Sequence, residues 1–393
     1  METSEELRRR HVCGARRVVV KVGTNVLAAP GRALDDARVA ALSDEIASVV
    51  GEGREVALVS SGAIGSGMGE LKLSDRPRTL PQLQATASVG QGRLMSRYEM
   101  NFSRHGLHAG QILLTREDFD SRERYLNACN TIRALFDYNC VPVINENDTI
   151  STAEIRFGDN DLLAALVTHL IQADLLVLLT SVPGLCANEP YPAAIRCFHE
   201  GQDGGAHGRA VADIVDRIDD EVMALARGKT SGTSTGGMES KLEAARIATE
   251  AGEAALIADG HAEDVLSRIM RGERVGTLFV PAQKRLQSRK RWIRFTGRPH
   301  GAVVVDEGAC RALSKGGKSL LPSGITAVHG EFDAGDVIRI EGPDGKEFAR
   351  GLSNYPSHEV AAIKGLKTSQ IEGVLGHKYY DEVVHRDSLA LLA

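Results

Sequence analysis

Short runs of apolar, β-branched residues alternate along the chain with longer stretches in which apolar positions recur every three or four residues. The runs RVVVKV (17–22), EVALVS (55–60), AGQILLT (109–115), VPVIN (141–145), LLVLLT (175–180) and AALIAD (254–259) predict strands. Between them, Leu34 to Val50, Gln82 to Arg104, Arg122 to Asp137, Asp161 to Ile171 and Glu239 to Ala251 predict helices. Several strand runs are apolar without alternation, the pattern of parallel strands covered on both faces. Strand–helix alternation of this kind predicts an α/β sandwich.

The pattern breaks at residues 281–299, PAQKRLQSRKRWIRFTGRP, a basic stretch that holds the only tryptophan, Trp292. Beyond it come short strand runs and dense turn signals, with Asp344-Gly345 a hairpin candidate. This predicts two domains, residues 1–283 and a small β-rich domain at 299–380.

Composition narrows the class. Of 393 residues, 42% are hydrophobic and 25% charged, the balance of a globular protein. The formal net charge of −5 gives no global pull toward nucleic acid or an anionic membrane. No apolar run is long enough to span a bilayer. Six cysteines without a CxxC pair or zinc-like spacing read as reduced thiols. A cytoplasmic enzyme with no membrane partner is the expectation.

Four polar or glycine-rich spots fall at carboxyl ends of predicted strands, the edge where open α/β sheets bind ligands. Lys21 ends the first run just before Gly23-Thr24-Asn25, where an ammonium and turn amides suit a phosphate. A lysine there more commonly just reaches the rim. In VSSGAIGSGMG (59–69), glycines follow a strand, and the expectation is an anion cradle with Ser60 and Ser61 hydroxyls pointing in. The plain alternative is a flexible loop or helix cap. VINENDTI (143–150) and FGDND (157–161) crowd Asn145, Asp148, Asp159, Asn160 and Asp161 at two neighbouring points. Capping uses one such residue, and the remaining acids need cations nearby. Finally, SGTSTGGMESKLEAA (231–245) is a glycine-rich loop running into a helix with Lys241 in its first turn. A lysine there opposes the helix dipole and so needs a reason to be present. Two lysines, two glycine-rich loops and clustered carboxylates without a nucleophile triad suit phosphoryl transfer.

These segments resemble the glutamate 5-kinase family, of the amino acid kinase superfamily. The resemblance rests on KVGTNVL, VSSGAIGSGM, QILLTREDF, RERYLNA, VPVINENDTISTAEIRFGDND, TGGMESKLEAA, VGTLF and RKRWI, in the family's order and over nearly the whole chain. It implies a three-layer αβα sandwich with a mostly parallel sheet, then a PUA-like domain. It also implies ATP and Mg²⁺ as cofactors, and phosphorylation of the L-glutamate γ-carboxylate in the first step of proline synthesis. Matched residue by residue, Lys21 is the ATP-contacting lysine, and Ser61, Asp148 and Asn160 are glutamate-binding positions. The nucleotide-binding segments match Thr180, Ser181 and the run Thr235, Gly236, Gly237, Met238, Glu239, Ser240 and Lys241. The resemblance makes Lys21 and Lys241 the charges on the transferred phosphoryl group, and Asp161 the residue that orients them. Asp148 is a candidate acceptor for the substrate's ammonium, and Asp159 for a cap or Mg²⁺; no protein metal ligand is assigned.

Two departures stand out. The family commonly carries Asp where this chain has Ser181, which bears on how the nucleotide is held. The segment Ala187 to Gly208 keeps little family character beyond its glycines. The family further implies proline as a feedback inhibitor and a homo-oligomer, dimer or tetramer. The basic stretch Lys284 to Arg298 is a candidate RNA patch, but in a net acidic chain a solvated linker is the favoured reading. The rivals are N-acetylglutamate kinase, aspartokinase, an RNA-binding protein with a vestigial kinase domain, and a dehydrogenase. VINEND and the PUA-like tail argue against the first two, the intact lysines and Asp161 against the third, and the lack of GxGxxG against the last.

Overall fold

The computed structural model describes residues 2–28, 34–151, 160–187, 191–203, 210–226, 237–281, 290 and 292–392. The chain forms two compact units, one of residues 1–118 and 123–285, the other of 119–122 and 286–393.

The first unit is built on a ten-stranded sheet among the described residues. Its strands are β1 (Arg17–Val22), β2 (Glu55–Ser60), β3 (His108–Leu114), β4 (Cys140–Glu146), β5 (Leu175–Thr180), β6 (Cys186–Ala187), β7 (Ile195–Asp203), β8 (Ala210–Val215), β9 (Ala254–Asp259) and β10 (Thr277–Phe279). They lie in the order β3-β4-β2-β1-β5-β9-β10-β8-β6, with β7 paired to β8. From β3 across to β9 every pairing is parallel. Antiparallel pairs enter only beyond β9, at β9–β10, β6–β8 and β7–β8. Successive strand residues point to opposite faces, and Val18, Val19 and Val20 are all 0% exposed. Both faces of the central strands are therefore covered, as their uninterrupted apolar runs predict. Each such side chain contributes on the order of 1.5–3 kcal/mol to burial.

All six predicted strands are present, with ends shifted by one residue or so. The pattern missed β6, β7, β8 and β10, for which there are local reasons: β7, IRCFHEGQD, is largely polar in sequence. β6 and β10 have two and three residues, too few to show a period, and β8 carries Asp213 inside its apolar run. Helix Asp36–Gly51 starts two residues later than predicted, because the Asp35 carboxylate accepts from the Arg38 amide and caps it there. Helix Leu80–Ser103 starts two residues earlier, with Pro81 tolerated in the first turn, where no amide donor is needed.

Helix Ala63–Glu70 packs closely on Leu80–Ser103 through two glycines. A Cβ at Gly90 would fall 1.8 Å from the Ala63 carbonyl oxygen, and one at Gly67 would fall 1.9 Å from that of Thr86. Backbone cannot yield as a flexible side chain does. Gly90→Ala is therefore expected to lower stability by about 3 kcal/mol or more; an unchanged urea midpoint would rule that out.

The second unit holds a five-stranded sheet ordered β12-β11-β13-β14-β15 among the described residues, of β11 (Gly301–Val305), β12 (Ile325–Gly330), β13 (Val337–Glu341), β14 (Glu347–Leu352) and β15 (Leu389–Leu391). The Asp344-Gly345 turn joins antiparallel β13 and β14, with Gly345 at φ 73°. Within this unit the Trp292 indole donates to the Phe119 carbonyl at 2.9 Å, and the Arg122 guanidinium lies over its ring. Of the basic stretch, Lys284, Arg285, Arg289 and Arg291 lie outside the described residues. No helix among the described residues is long and apolar enough to cross a membrane.

Candidate active site

The chain leaving β1 turns to β2 on one side, whereas the chain leaving β5 goes to strands on the other. Adjacent parallel strands whose connections diverge leave a crevice at their carboxyl ends. Lys21 is the penultimate residue of β1, and its Nζ lies 2.6 Å from Asp161 Oδ1. Asp161 stands in the first turn of helix Asn160–Ile171 with its side chain 0% exposed. Its other oxygen, Oδ2, accepts from Lys241 Nζ at 3.0 Å and Ser240 Oγ at 2.8 Å. Ser240 and Lys241 lie in the first turn of helix Met238–Glu250, whose N-cap Gly237 has no side chain to contribute. One carboxylate thus bridges two buried lysines drawn from distant parts of the chain. Buried charges are tolerated when paired in this way, and the pairing supplies the reason for a lysine at a helix N-terminus.

Asn160, one residue earlier, reaches into a second set of groups. Its Nδ2 lies 3.0 Å from Ser61 Oγ, 2.9 Å from Asn145 Oδ1 and 3.3 Å from the Ser60 carbonyl. Asn145 at the end of β4 donates to Gln91 Oε1 at 3.0 Å, and Gln91 donates to Gln111 Oε1 at 3.3 Å. The structure thus joins Ser61 and Asn160 directly. Gln91 and Gln111 gave no signal in the sequence, since single amides in a helix and a strand form no motif. Asp148 is half-buried in the turn after β4, Thr180 is buried at the end of β5, and Ser181 is exposed beyond it. Gly237, Met238 and Glu239 open the second helix. Thr235, Gly236 and Asp159 lie outside the described residues.

The expected orientation of Ser60 in the cradle at residues 59–69 needs correction. Ser60 is fully buried, and its hydroxyl bonds Tyr98 OH at 2.8 Å and the Ser61 carbonyl at 3.0 Å, so it does not point into a ligand site. Burial holds the Tyr98 phenol well above its usual pKa, only partly opposed by the Ser60 hydrogen bond. Gly62 takes φ 109°, which only glycine adopts freely, and Gly67 serves helix packing.

Among the described residues no group of three or more His, Cys, Asp or Glu side chains is arranged to hold a metal ion, and the six cysteines are free.

A mostly parallel sheet whose carboxyl edge carries two lysines bridged by an aspartate is an arrangement suited to a kinase of the amino acid kinase type. Residues 16–196 match the amino acid kinase family, and residues 301–375 match the PUA domain. The chain is 46% identical over 376 residues to the glutamate 5-kinase of Caldanaerobacter subterraneus subsp. tengcongensis, covering 96% of this chain and 98% of that one. The glutamate 5-kinase of Citrifermentans bemidjiense is 47% identical, covering 96% and 98% respectively. That of Moorella thermoacetica is 46% identical, covering 96% and 97%. The chain belongs to the glutamate 5-kinase family.

Proposed function

We propose that the protein transfers the γ-phosphoryl group of MgATP to the γ-carboxylate of L-glutamate, giving ADP and L-glutamyl 5-phosphate, the first step of proline synthesis from glutamate. The family membership supports the reaction. The observation that carries the site assignment is the Lys21–Asp161–Lys241 bridge at the carboxyl edge of the sheet. The acceptor carboxylate is already ionised at neutral pH, so no general base is required. The difficulty is repulsion, since an anion must approach a phosphoryl group that is itself anionic. Positive charge fixed around the transferred group lowers that barrier most when it is preorganised and shielded from water. In this reading Lys21 and Lys241 supply the charge, and Asp161 holds both ammonium groups in place while Ser240 steadies its Oδ2. The helix N-terminus at Gly237, with Thr235 and Gly236 before it, receives nucleotide phosphates. Thr180 and Ser181 border the nucleotide. Ser61 and Asn160 bind the glutamate, with Asp148 taking its α-ammonium. All of this catalytic machinery lies within residues 1–283.

The test is ADP release from purified protein with MgATP and L-glutamate, the acyl phosphate being trapped as its hydroxamate. Aspartate and N-acetylglutamate serve as controls. Glutamate-dependent product is expected; none from a folded protein would sink the reading.

Proline has the carbon skeleton of the cyclised product and is expected to compete around Asp148 and Asn160. It should raise the apparent KM for glutamate several-fold, and Asn160→Ala should blunt that rise, since the same groups would hold both ligands. Initial rates against glutamate at fixed proline check this, and an unchanged KM would count against it.

A further inference from the structure

Resting on the kinase reading above, the geometry points to His169 and Glu253 as a positioning pair. In this role they set the register of the two helices that carry Asp161 and Lys241. Helix Asn160–Ile171 leads into β5, and helix Met238–Glu250 leads through a short turn into β9, the parallel neighbour of β5. At their amino ends the helices meet through Asp161 and Lys241 at 3.0 Å. Near the opposite ends, His169 Nδ1 lies 2.7 Å from Glu253 Oε2, both side chains 0% exposed. The helices therefore run side by side in the same direction, joined at one end by Asp161 and Lys241 and at the other by His169 and the turn residue Glu253, just past the second helix. His169 is eight residues beyond Asp161, about 12 Å along the axis, so the pair is too remote to touch the transferred group.

Contact between apolar side chains is non-directional, and the apolar residues buried in these helices, such as Ala164, Leu166, Ala245 and Ala248, fix no single axial position by direction alone. A hydrogen bond weakens steeply as length and angle depart from ideal. The His169–Glu253 contact therefore resists an axial slip more sharply than apolar packing alone. Such a slip carries Lys241 away from Asp161, and a displacement of about 1 Å at a reacting centre costs on the order of a hundredfold in rate. Ser61 and Asn145 anchor Asn160 at the start of its helix, so the slip falls on the helix that carries Lys241 and the glutamate site is spared.

The experiment compares wild-type enzyme with Glu253→Gln and with the paired change His169→Leu/Glu253→Met. Gln keeps an oxygen that accepts from Nδ1, while the pair fills the space with apolar atoms and removes the directional contact. The measurements are glutamate-dependent kcat per folded molecule, KM for glutamate, and affinity for a non-hydrolysable ATP analogue with Mg²⁺. In the paired variant kcat is expected to fall about tenfold or more and analogue affinity about fivefold. KM for glutamate should stay within about twofold, and Glu253→Gln should behave as wild type. A folded paired variant with wild-type kcat and analogue affinity would overturn the inference. So would activity lost only in proportion to the native fraction, or no native fraction at all, since the pair would then serve packing or folding alone. Wild-type enzyme without glutamate turnover would sink the kinase reading, while the analogue affinities would still report on the helix register.

Discussion

Replacing Lys241 with alanine is expected to lower glutamate-dependent kcat by about two to three orders of magnitude, with KM for glutamate nearly unchanged. The size follows from the cost of deleting one preorganised donor at a site of developing charge. Lys241 has a side chain only 7% exposed and stands 3.0 Å from Asp161. Water therefore replaces its ammonium poorly. The fold should survive, because Asp161 keeps Lys21 at 2.6 Å and Ser240 at 2.8 Å and is not left as an uncompensated buried charge. The glutamate contacts assigned to Ser61 and Asn160 do not pass through Lys241, hence the separation of kcat from KM. Lys241→Arg should not restore the rate, since a planar guanidinium cannot take the place of a compact ammonium in a buried pocket. Steady-state kinetics with circular dichroism on each variant decides the matter. A folded Lys241→Ala protein within tenfold of wild type would remove Lys241 from the phosphoryl site.

That Lys241 had a task was legible because a lysine in a helix's first turn opposes the dipole. Its partner was not readable from spacing, since Asp161 is 80 residues away and only the fold brings them together. The central sheet was legible because β1, β4 and β5 are buried on both faces and written as unbroken apolar runs. The strands beyond β9 were not, since β6 and β10 are short, β7 is largely polar in sequence and β8 is interrupted by a charge. Ser60 was misjudged because a serine after a strand looks the same whether it turns toward a ligand or, as here, toward Tyr98 in the core. Gly67 follows the same logic, since close helix contact and phosphate approach both call for glycine. What local sequence conveys is that a position is constrained; which of two neighbours imposes the constraint is a tertiary fact.

The charge inside β8 leads to the largest stability effect expected. Asp213→Ala should destabilise the first unit by about 3–5 kcal/mol, lowering its Tm by roughly 10 °C. Arg8 is 0% exposed, with Nη2 2.6 Å and Nε 3.0 Å from Asp213 Oδ1. Its remaining donors reach the carbonyls of Glu273, Val275 and Gly276. Burial pulls the Arg8 pKa down and the Asp213 carboxylate opposes it, so the aspartate is what makes a buried guanidinium tolerable. Without it, Arg8 keeps its carbonyls but faces no anion. The reverse deletion should be milder, because Arg8→Ala leaves Asp213 Oδ2 with Arg274 Nε at 2.9 Å and Ser4 Oγ at 2.7 Å. The double variant should therefore lose clearly less than the sum of the singles. β8 and β10 lie on the far side of β9 from the β1–β5 crevice. Turnover measured well below the transition should accordingly persist in all three variants. Equal losses from the two single changes would show that Arg8 contributes by its packed stem and not by its charge. Turnover abolished at low temperature would show that the site depends on this edge of the sheet.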